Sequence, residues 1–490
     1  MNNGTINLKN ITDMRIRNIF IGMLLAGIGS FYCACNEEYS EYETPVTQPG
    51  GDDTGGDDET GDEGELPPLD LSKDYTVASI GASPSIVTLS QTVSTVNGKP
   101  FLPLALYGVE IEDMPKVKEL GFNLVHTYHT RDEGKTEADW IEYMDAAQRN
   151  GLMVFFNLDG ATLDAVKEAK IKKMVQCVKN HPALYVWYLA DEPYKDKISP
   201  STLKKMYDWI KKEDPHHPII SSNWELGTFK DCCDLDMRQL YDGVPFRLTP
   251  DLTKYLEGNA KYNKPWLVIL NAYDSCWGAN VEKPVNPTST FSKLAEAGYK
   301  DGDPVWEAEK ALWQPFLNDL EHPEAHGFTV SAAFPNTGEE IRGSFYWAFV
   351  HGSNGLFYWL WANPETPLNL RWGWYTVFHQ SRLRAAIQKT INELGELSKF
   401  LVDPSKNSIT FYDETYPGIY VWSKIVDKRR IVIILNETGS SFNSPVDLSG
   451  LYITSRKLRV YNEDDRVIKL DKNEFVDSFK KDEVHVYFVE

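Results

Sequence analysis

From residue 94 onward, short runs of apolar, β-branched and aromatic residues alternate with longer stretches whose apolar positions recur every three or four residues. Strand-like runs separated by amphipathic helical stretches predict a parallel sheet, because parallel neighbours can be joined only by a connection that crosses back over the sheet. Eight such runs are present: FLPLALYGVE (101–110), NLVHTYHT (123–130), LMVFFNLDG (152–160), ALYVWYLADEP (183–193), PIISSNW (218–224), CDLDMRQLYDG (233–243), KPWLVILNAYDS (264–275) and NGLFYWLWA (354–362). An opening hairpin, TVNGKPF, turns at Asn97-Gly98. Helices are expected up to Gly121, over 137–150 and 162–180, over the Ser-capped stretch 199–215, over 338–350 and over 381–401.

Eight strands each followed by a helix, over about 300 residues, predict an α/β fold of the TIM (β/α)8 barrel type. An open doubly wound sheet would need a Gly-rich first turn for a nucleotide, and the sequence has none there. After residue 403 the pattern changes. Runs such as ITFYDET, IYVWSKIV, RRIVIILNE, KLRVYNED and EVHVYFVE are separated by turn residues and predict a small antiparallel β-sandwich over 404–490. Such a domain most often buttresses the barrel; a glycan-binding role is the alternative.

Composition adds a front end. Residues 14–35 combine Arg15 and Arg17 with the apolar run IFIGMLLAGIGSFY and then Cys-Ala-Cys. A basic start, a run too short to span a bilayer and small residues before a cysteine make a secretory signal over 1–35. The segment resembles a bacterial lipobox with Cys35, rather than Cys33, as the lipidated residue; the bland alternative is a cleaved signal without lipid. The acidic residues that follow at once resemble the export pattern of Bacteroidota surface lipoproteins. Residues 36–66 hold twelve acids and no Lys or Arg, so the stretch 36–72 reads as an extended acidic tether. The body, with the barrel expected over 73–403, is left only moderately acidic out of a net charge of −21. No basic patch of a nucleic-acid binder is present in the sequence. The expected localisation is export to the outer membrane, with the membrane touched through the lipid anchor alone. Cys177, Cys232, Cys233 and Cys276 match no zinc spacing and are expected to be buried thiols, so no metal is expected.

In a TIM barrel the chemistry lies at the C-terminal ends of the strands. The residues to weigh there include Tyr107, His126, His129, Asp159, Asp191, Glu192, Trp224, Glu225, Tyr241, Asn271, Asp274 and Trp361. Glu192 ends the fourth run just before Pro193, where desolvation by neighbouring aromatics would favour a proton-donating carboxyl. Helix capping is the structural alternative for Asp191 and Glu192. The 14 Trp and 25 Tyr exceed what a core needs, and aromatic faces stack on sugar rings. Trp224, Tyr241, Trp347, Trp359 and Trp361 are candidate platforms, at least half of them expected to be core. His126 and His129 serve equally well as structural histidines, and Arg342 as a barrel-bottom salt-bridge partner.

The run WYLADEP resembles the fourth-strand signature of clan A glycoside hydrolases, and the similarity extends over NGKPFLPLALYGV, RGSFYWAFVHGSNGLFYWLW and the C-terminal hairpins. The resemblance implies hydrolysis of an oligo- or polysaccharide without a cofactor, with Glu192 as general acid/base. Asp191 falls where the clan has Asn, which contacts the sugar, and Tyr107, His126, Asp159, Trp224, Tyr241, Asn271 and Trp361 are the other expected substrate contacts. The sequence departs from the clan at the seventh strand, where Asn271 occupies the position of the nucleophilic Glu. Three explanations stand open. Asp274 takes the part; or the enzyme inverts with Asp159, Asp191, Glu225 or Asp242 as base; or the barrel binds glycan without cutting it. A purely structural surface component is a third class of function, which leaves the polar strand ends without a purpose.

Overall fold

The computed structural model describes residues 80–490, apart from 92, 133, 159–164, 194–197, 223–225, 241–260, 279–293, 296, 319–324, 326–327, 331–336, 362–373, 377, 379–380, 405–407, 454–456 and 464–465. The signal, the tether and Cys35 therefore lie outside the described residues, as do Asp159, Trp224, Glu225, Tyr241 and Asp242.

The chain opens with a three-stranded antiparallel sheet of β1 (Val87–Leu89), β2 (Ser94–Val96) and β3 (Lys99–Phe101). Asn97 and Gly98 both take positive φ, 51° and 76°, the geometry of a two-residue turn whose twist matches its strands. The barrel follows: β4 (Leu104–Leu106), α1 (Met114–Glu119), β5 (Leu124–Val125), α2 (Glu137–Arg149), β6 (Met153–Asn157), α3 (Ala165–Val178), β7 (Leu184–Asp191), α4 (Pro200–Glu213), β8 (Ile219–Ser222), α5 (Leu226–Phe229), β9 (Leu235–Leu240) and β10 (Trp266–Asn271). The chain then leaves the ring through β11 (Tyr273–Gly278), α6 (Pro304–Asn318), β12 (Phe328–Val330) and α7 (Gly338–Val350). It returns as β13 (Leu356–Trp359) and passes through β14 (Trp374–Thr376) into α8 (Ser381–Leu401). The eight strands close in the order β10-β13-β4-β5-β6-β7-β8-β9, all parallel.

Every barrel run named from the sequence supplies one strand. Two expectations need correction. The turn after β8 contains only the four-residue helix α5 among its described residues, so the rule of one full helix per strand fails there. The seventh run does not continue to Ser275 as a single barrel strand: the ring strand ends at Asn271, and β11 pairs antiparallel with β12 and β14 instead.

The pleat sorts side chains by alternation. On β6, Met153 and Phe155 face the barrel interior, where they join Tyr107, Tyr188, Met237, Ile269 and Phe357, while Val154 and Phe156 face the helices. Such strands are buried on both faces, which is why they read as unbroken apolar runs. α8 is longer, and its apolar side chains at 383, 387, 391, 394 and 397 make one buried stripe. Each of these contributes about 2 kcal/mol by leaving water. Gly121 ends α1 with φ +96°, and a Cβ there would meet Ile391 Cγ2 at 2.6 Å, so the turn needs glycine twice over.

The C-terminal strands are β15 (Ser408–Tyr412), β16 (Ile419–Val426), β17 (Arg429–Asn436), β18 (Phe442–Asp447), β19 (Lys457–Val460), β20 (Val467–Lys469), β21 (Glu474–Phe479) and β22 (Val484–Val489). Six form one sheet, β15-β16-β17-β22-β19-β20, and β18 pairs with β21 over its inner face. β17 is sandwiched. Val432 and Ile434 face the small sheet, whereas Ile431, Ile433 and Leu435 join the core shared with α7 and α8. The domain thus packs on the barrel through an apolar face.

At the other face of the barrel, below the strands' N-terminal ends, Ser85, His217 and Asp214 form a buried chain. His217 Nδ1 lies 2.7 Å from Asp214 Oδ2, and its Nε2 lies 2.9 Å from Ser85 Oγ. By composition this is a nucleophilic triad, but the geometry is structural. The Ser85 hydroxyl donates to the Leu184 carbonyl at 2.6 Å, so its proton is not offered to the imidazole, and the serine is fully buried. Burial works to raise the Asp214 carboxyl. His217, the Trp187 indole N–H and the His216 backbone N–H outweigh it and hold the group below the usual carboxylate range. A depressed acid stabilises the fold above its unfolded pKa, and that contribution is lost as pH falls through the folded value. His217→Ala, which strands Asp214 in the core, is expected to cost about 3 kcal/mol in urea unfolding at pH 7. The penalty should shrink at pH 3, where protonation relieves the stranded carboxylate.

Candidate active site at the barrel mouth

The floor of the mouth is aromatic. Tyr107, beyond β4, meets Tyr188 of β7 across the barrel with ring centroids 6.1 Å apart, and Phe155 and Phe357 close the layer. His126, just after β5, is fully buried and stacks on Phe155 at 4.6 Å. Its Nε2 lies 3.0 Å from Asn157 Nδ2 at the end of β6. The Tyr107 hydroxyl donates to the Met237 sulfur. Trp361 is buried against Phe378 in the outer core, and Trp347 is fully buried. Tyr107, His126 and Trp361, expected as substrate contacts, therefore sit in the packing beneath the mouth. Trp359 differs. It is only partly buried, at the inward end of β13, and its indole N–H donates to the Tyr128 hydroxyl at 2.9 Å.

β7 carries the acids. Asp191 is its last residue and pairs in register with Ser222 of β8. Its Oδ1 accepts from Gln239 Nε2 at 3.1 Å, and the same amide nitrogen donates to Ser222 Oγ at 3.0 Å. Three neighbouring strands thus hold one carboxylate. Burial, and after it the Asp191 charge, pushes the Tyr188 phenol well above its ordinary pKa. Gln239 was not singled out in the sequence, because no local signal ties β9 to β7.

Glu192 follows with φ 44°, in the left-handed region that a side chain with a Cβ normally avoids. Its backbone N–H still donates to Ser222 O at 3.0 Å, so the sheet grips the chain as it reverses into Pro193. The side chain is partly exposed at the C-terminal face. A non-glycine residue kept there costs about 1–2 kcal/mol, and such positions concentrate at functional sites. Of the expected second-carboxylate positions, Asp191 adjoins Glu192, and Asp159, Glu225 and Asp242 lie outside the described residues. Asn271 ends β10 opposite Trp359, whereas Asp274 lies in β11 with Tyr375 as its register partner, outside the ring of barrel strands. The side chains of Asn271 and Asp274 lie outside the described residues.

A further cluster tops β4 and β5. His129 Nδ1 lies 2.5 Å from Asp132 Oδ2, and its Nε2 lies 3.5 Å from Glu110 Oε1, which accepts from the Thr127 hydroxyl at 2.7 Å. The histidine thereby ties the loop after β4 to the loop after β5. Its pKa is raised, chiefly by the bond to Asp132, with Glu110 adding to this and burial and Lys135 opposing. Burial raises the Glu110 carboxyl, against His129 and Thr127. A raised histidine gives its full contribution below the unfolded value, about 6.5, and loses it as pH rises through the folded value. The His129 ring is therefore expected to titrate above 6.5 in an NMR pH series, and Asp132→Asn to bring it down. A ring that titrates identically in both proteins removes the tie.

Among the described residues no group of His, Cys, Asp and Glu has metal-site geometry; Cys232 and Cys233 are buried, Cys177 is partly exposed rather than buried, and the Cys276 side chain lies outside the described residues. No described helix is long and apolar enough to cross a membrane.

Residues 135–294, from the helix before β6 past the last ring strand of this stretch, match the family described as "Glycosyl hydrolases family 2, TIM barrel domain". Curated proteins give no match to the sequence. Among solved structures, one described as "Glycoside hydrolase" is similar at a TM-score of 0.50 and 12% identity, covering 85% of this chain and 98% of its own. A glycoside hydrolase family 5 protein from Bacteroides vulgatus ATCC 8482 is similar at a TM-score of 0.48 and 13% identity, over 85% of this chain and 94% of its own. An alpha-amylase from Geobacillus thermoleovorans, complexed with acarbose, is similar at 0.47 and 12%, over 78% and 91%. The described residues thus form a TIM barrel with a C-terminal antiparallel sheet domain, and the stretch 135–294 is similar to the TIM-barrel domain of family 2 glycosyl hydrolases.

Proposed function

We propose that this protein hydrolyses glycosidic bonds in an oligo- or polysaccharide, with Glu192 as general acid/base, and that it does so outside the cell, anchored through a lipid on Cys35. The observation that carries the catalytic reading is the left-handed backbone of Glu192 at the C-terminal end of β7, a strained setting for a partly exposed acid at the face where barrels do their chemistry. In the step, the carboxyl proton passes to the glycosidic oxygen as the anomeric C–O bond breaks. Water supplies the new bond to the anomeric carbon and the proton that restores the acid. In this reading Asp191, whose Oδ1 accepts from Gln239, also accepts a hydrogen bond from a hydroxyl of the bound sugar. Two-carboxylate hydrolysis calls for no cofactor.

A second reading is a glycan-binding protein on a barrel that no longer cuts. It is favoured by β10 ending in Asn271 while Asp274 stands in β11, away from the ring strands. The test is a panel of plant, host and microbial glycans assayed for reducing-sugar release and for binding side by side. Release that vanishes in Glu192→Gln supports hydrolysis. Binding without release, equal in both proteins, establishes the second reading. Lipid attachment is tested separately by labelling with a fatty-acid analogue, which Cys35→Ala should abolish.

A further inference from the structure

Two open cavities among the described residues lie away from the barrel mouth. They are adjoining hollows of about 330 and 350 Å3 between α8 and the C-terminal sheet, and Lys389, Glu393, Tyr461 and Asn462 line both. Each is at the lower end of the size range of small-molecule sites, and junctions between domains are where such sites concentrate. We propose that this groove is a second saccharide site, which takes one or two units of a neutral glycan independently of the barrel mouth.

The lining decides the ligand class. Tyr461 offers an aromatic ring in a fixed pose: its hydroxyl donates to Glu396, and its ring meets Phe488 edge to face at 6.3 Å. Around it stand Asn392 and Asn462, both exposed, and Lys389, with the carboxylates of Glu393 and Glu396 beneath. Amides that donate and accept, beside an aromatic surface, suit a molecule with hydroxyls on its rim and C–H groups on its faces. Apolar ligands find little here to bury against. Anions are disfavoured, because the acids Glu339, Glu393, Glu396, Glu463 and Glu483 outnumber Arg342 and Lys389. A metal ion is not favoured either: Glu393 already accepts from Arg342 and Tyr346, and Glu396 from Tyr461. Asn462 lines both hollows from a left-handed turn, φ 61°, which asparagine adopts more readily than most residues.

The test uses the full chain bearing Glu192→Gln, titrated with neutral di- to hexasaccharides of glucose, xylose, mannose and galactose, and with a uronic-acid oligomer as the anionic control. Binding is read by calorimetric stoichiometry and by the Asn side-chain amide signals in NMR. The paired variant adds Asn392→Ala and Asn462→Gly, the glycine keeping the left-handed turn. Near-UV circular dichroism establishes that the variant is folded. The expected result is that a neutral glycan shifts the Asn392 and Asn462 amides, and that the paired variant binds one equivalent fewer or weaker by about tenfold, the worth of two lost hydrogen bonds. This holds whether the count falls from two to one or, if the mouth binds nothing, from one to none, so failure of the mouth reading is seen separately. Equal stoichiometry and affinity in both proteins, or no shift of either amide with any neutral glycan, overturns the proposal. Tighter binding of the uronic-acid oligomer overturns the assignment of ligand class.

Discussion

Replacement of Glu192 by Gln is expected to lower kcat/KM on a natural glycan by about 10²–10⁴-fold, the range supplied by one general acid/base, while leaving the unfolding midpoint unchanged. The amide keeps the size of the side chain and the left-handed backbone but has no proton to give. The loss should be smaller on an aryl glycoside whose leaving group departs without protonation, because the acid then has less to do. Glu192→Gly separates chemistry from strain. It too should be inactive, but relief of the positive φ should offset the greater freedom of glycine in the unfolded chain and raise stability by up to about 1 kcal/mol. A drop of similar size in urea unfolding would show that Glu192 stabilises the loop, as a cap or packing element. An equal loss on activated and natural substrates would point to binding rather than proton transfer.

The second large effect is at the junction of the barrel with the C-terminal sheet. Arg342 of α7 grips Glu393 of α8, with Nε 2.9 Å from Oε2 and Nη2 2.6 Å from Oε1. The Tyr346 hydroxyl donates to Glu393 Oε1 at 2.6 Å, and Arg342 Nη1 donates to the Val484 carbonyl of β22. Glu393 is almost fully buried, whereas a quarter of the Arg342 side chain is exposed. Arg342→Met leaves a buried carboxylate with one phenol for company and the β22 carbonyl without this donor. It is expected to cost about 3 kcal/mol, at the lower end for a broken buried pair because water reaches the arginine. Arg342→Met with Glu393→Leu should recover much of that loss, since no charge is then stranded. A single substitution that costs less than about 0.5 kcal/mol in urea unfolding would place the pair among surface bridges of little consequence.

The barrel was legible because its strands are buried on both faces and its helices on one, so the two hydrophobic periods announce themselves without any knowledge of contacts. The junction pair was half legible: Arg342 stood out as a salt-bridge partner, but nothing in its neighbourhood names Glu393, 51 residues away. The end of β7 was legible because Pro193 stops a strand and leaves Asp191 and Glu192 at its tip.

Contacts between distant segments were not legible, and they decide most of the site. Whether the run through Asn271, Ala272 and Tyr273 stays in the ring depends on which strand pairs with it. β11 finds β12 and β14 50 or more residues downstream. The positive φ of Glu192 has no sequence signal, since glycine is the residue that normally announces it. Gln239 reaches Asp191 only because β8 and β9 are laid beside β7, and Ser85 finds His217 only once the base of the barrel closes. Local pattern by itself determined the order and type of the elements, because hydrophobic period and turn chemistry act over a few residues. Tertiary structure alone decided which polar side chains meet, because a hydrogen bond depends on tenths of an ångström between groups that the chain places far apart.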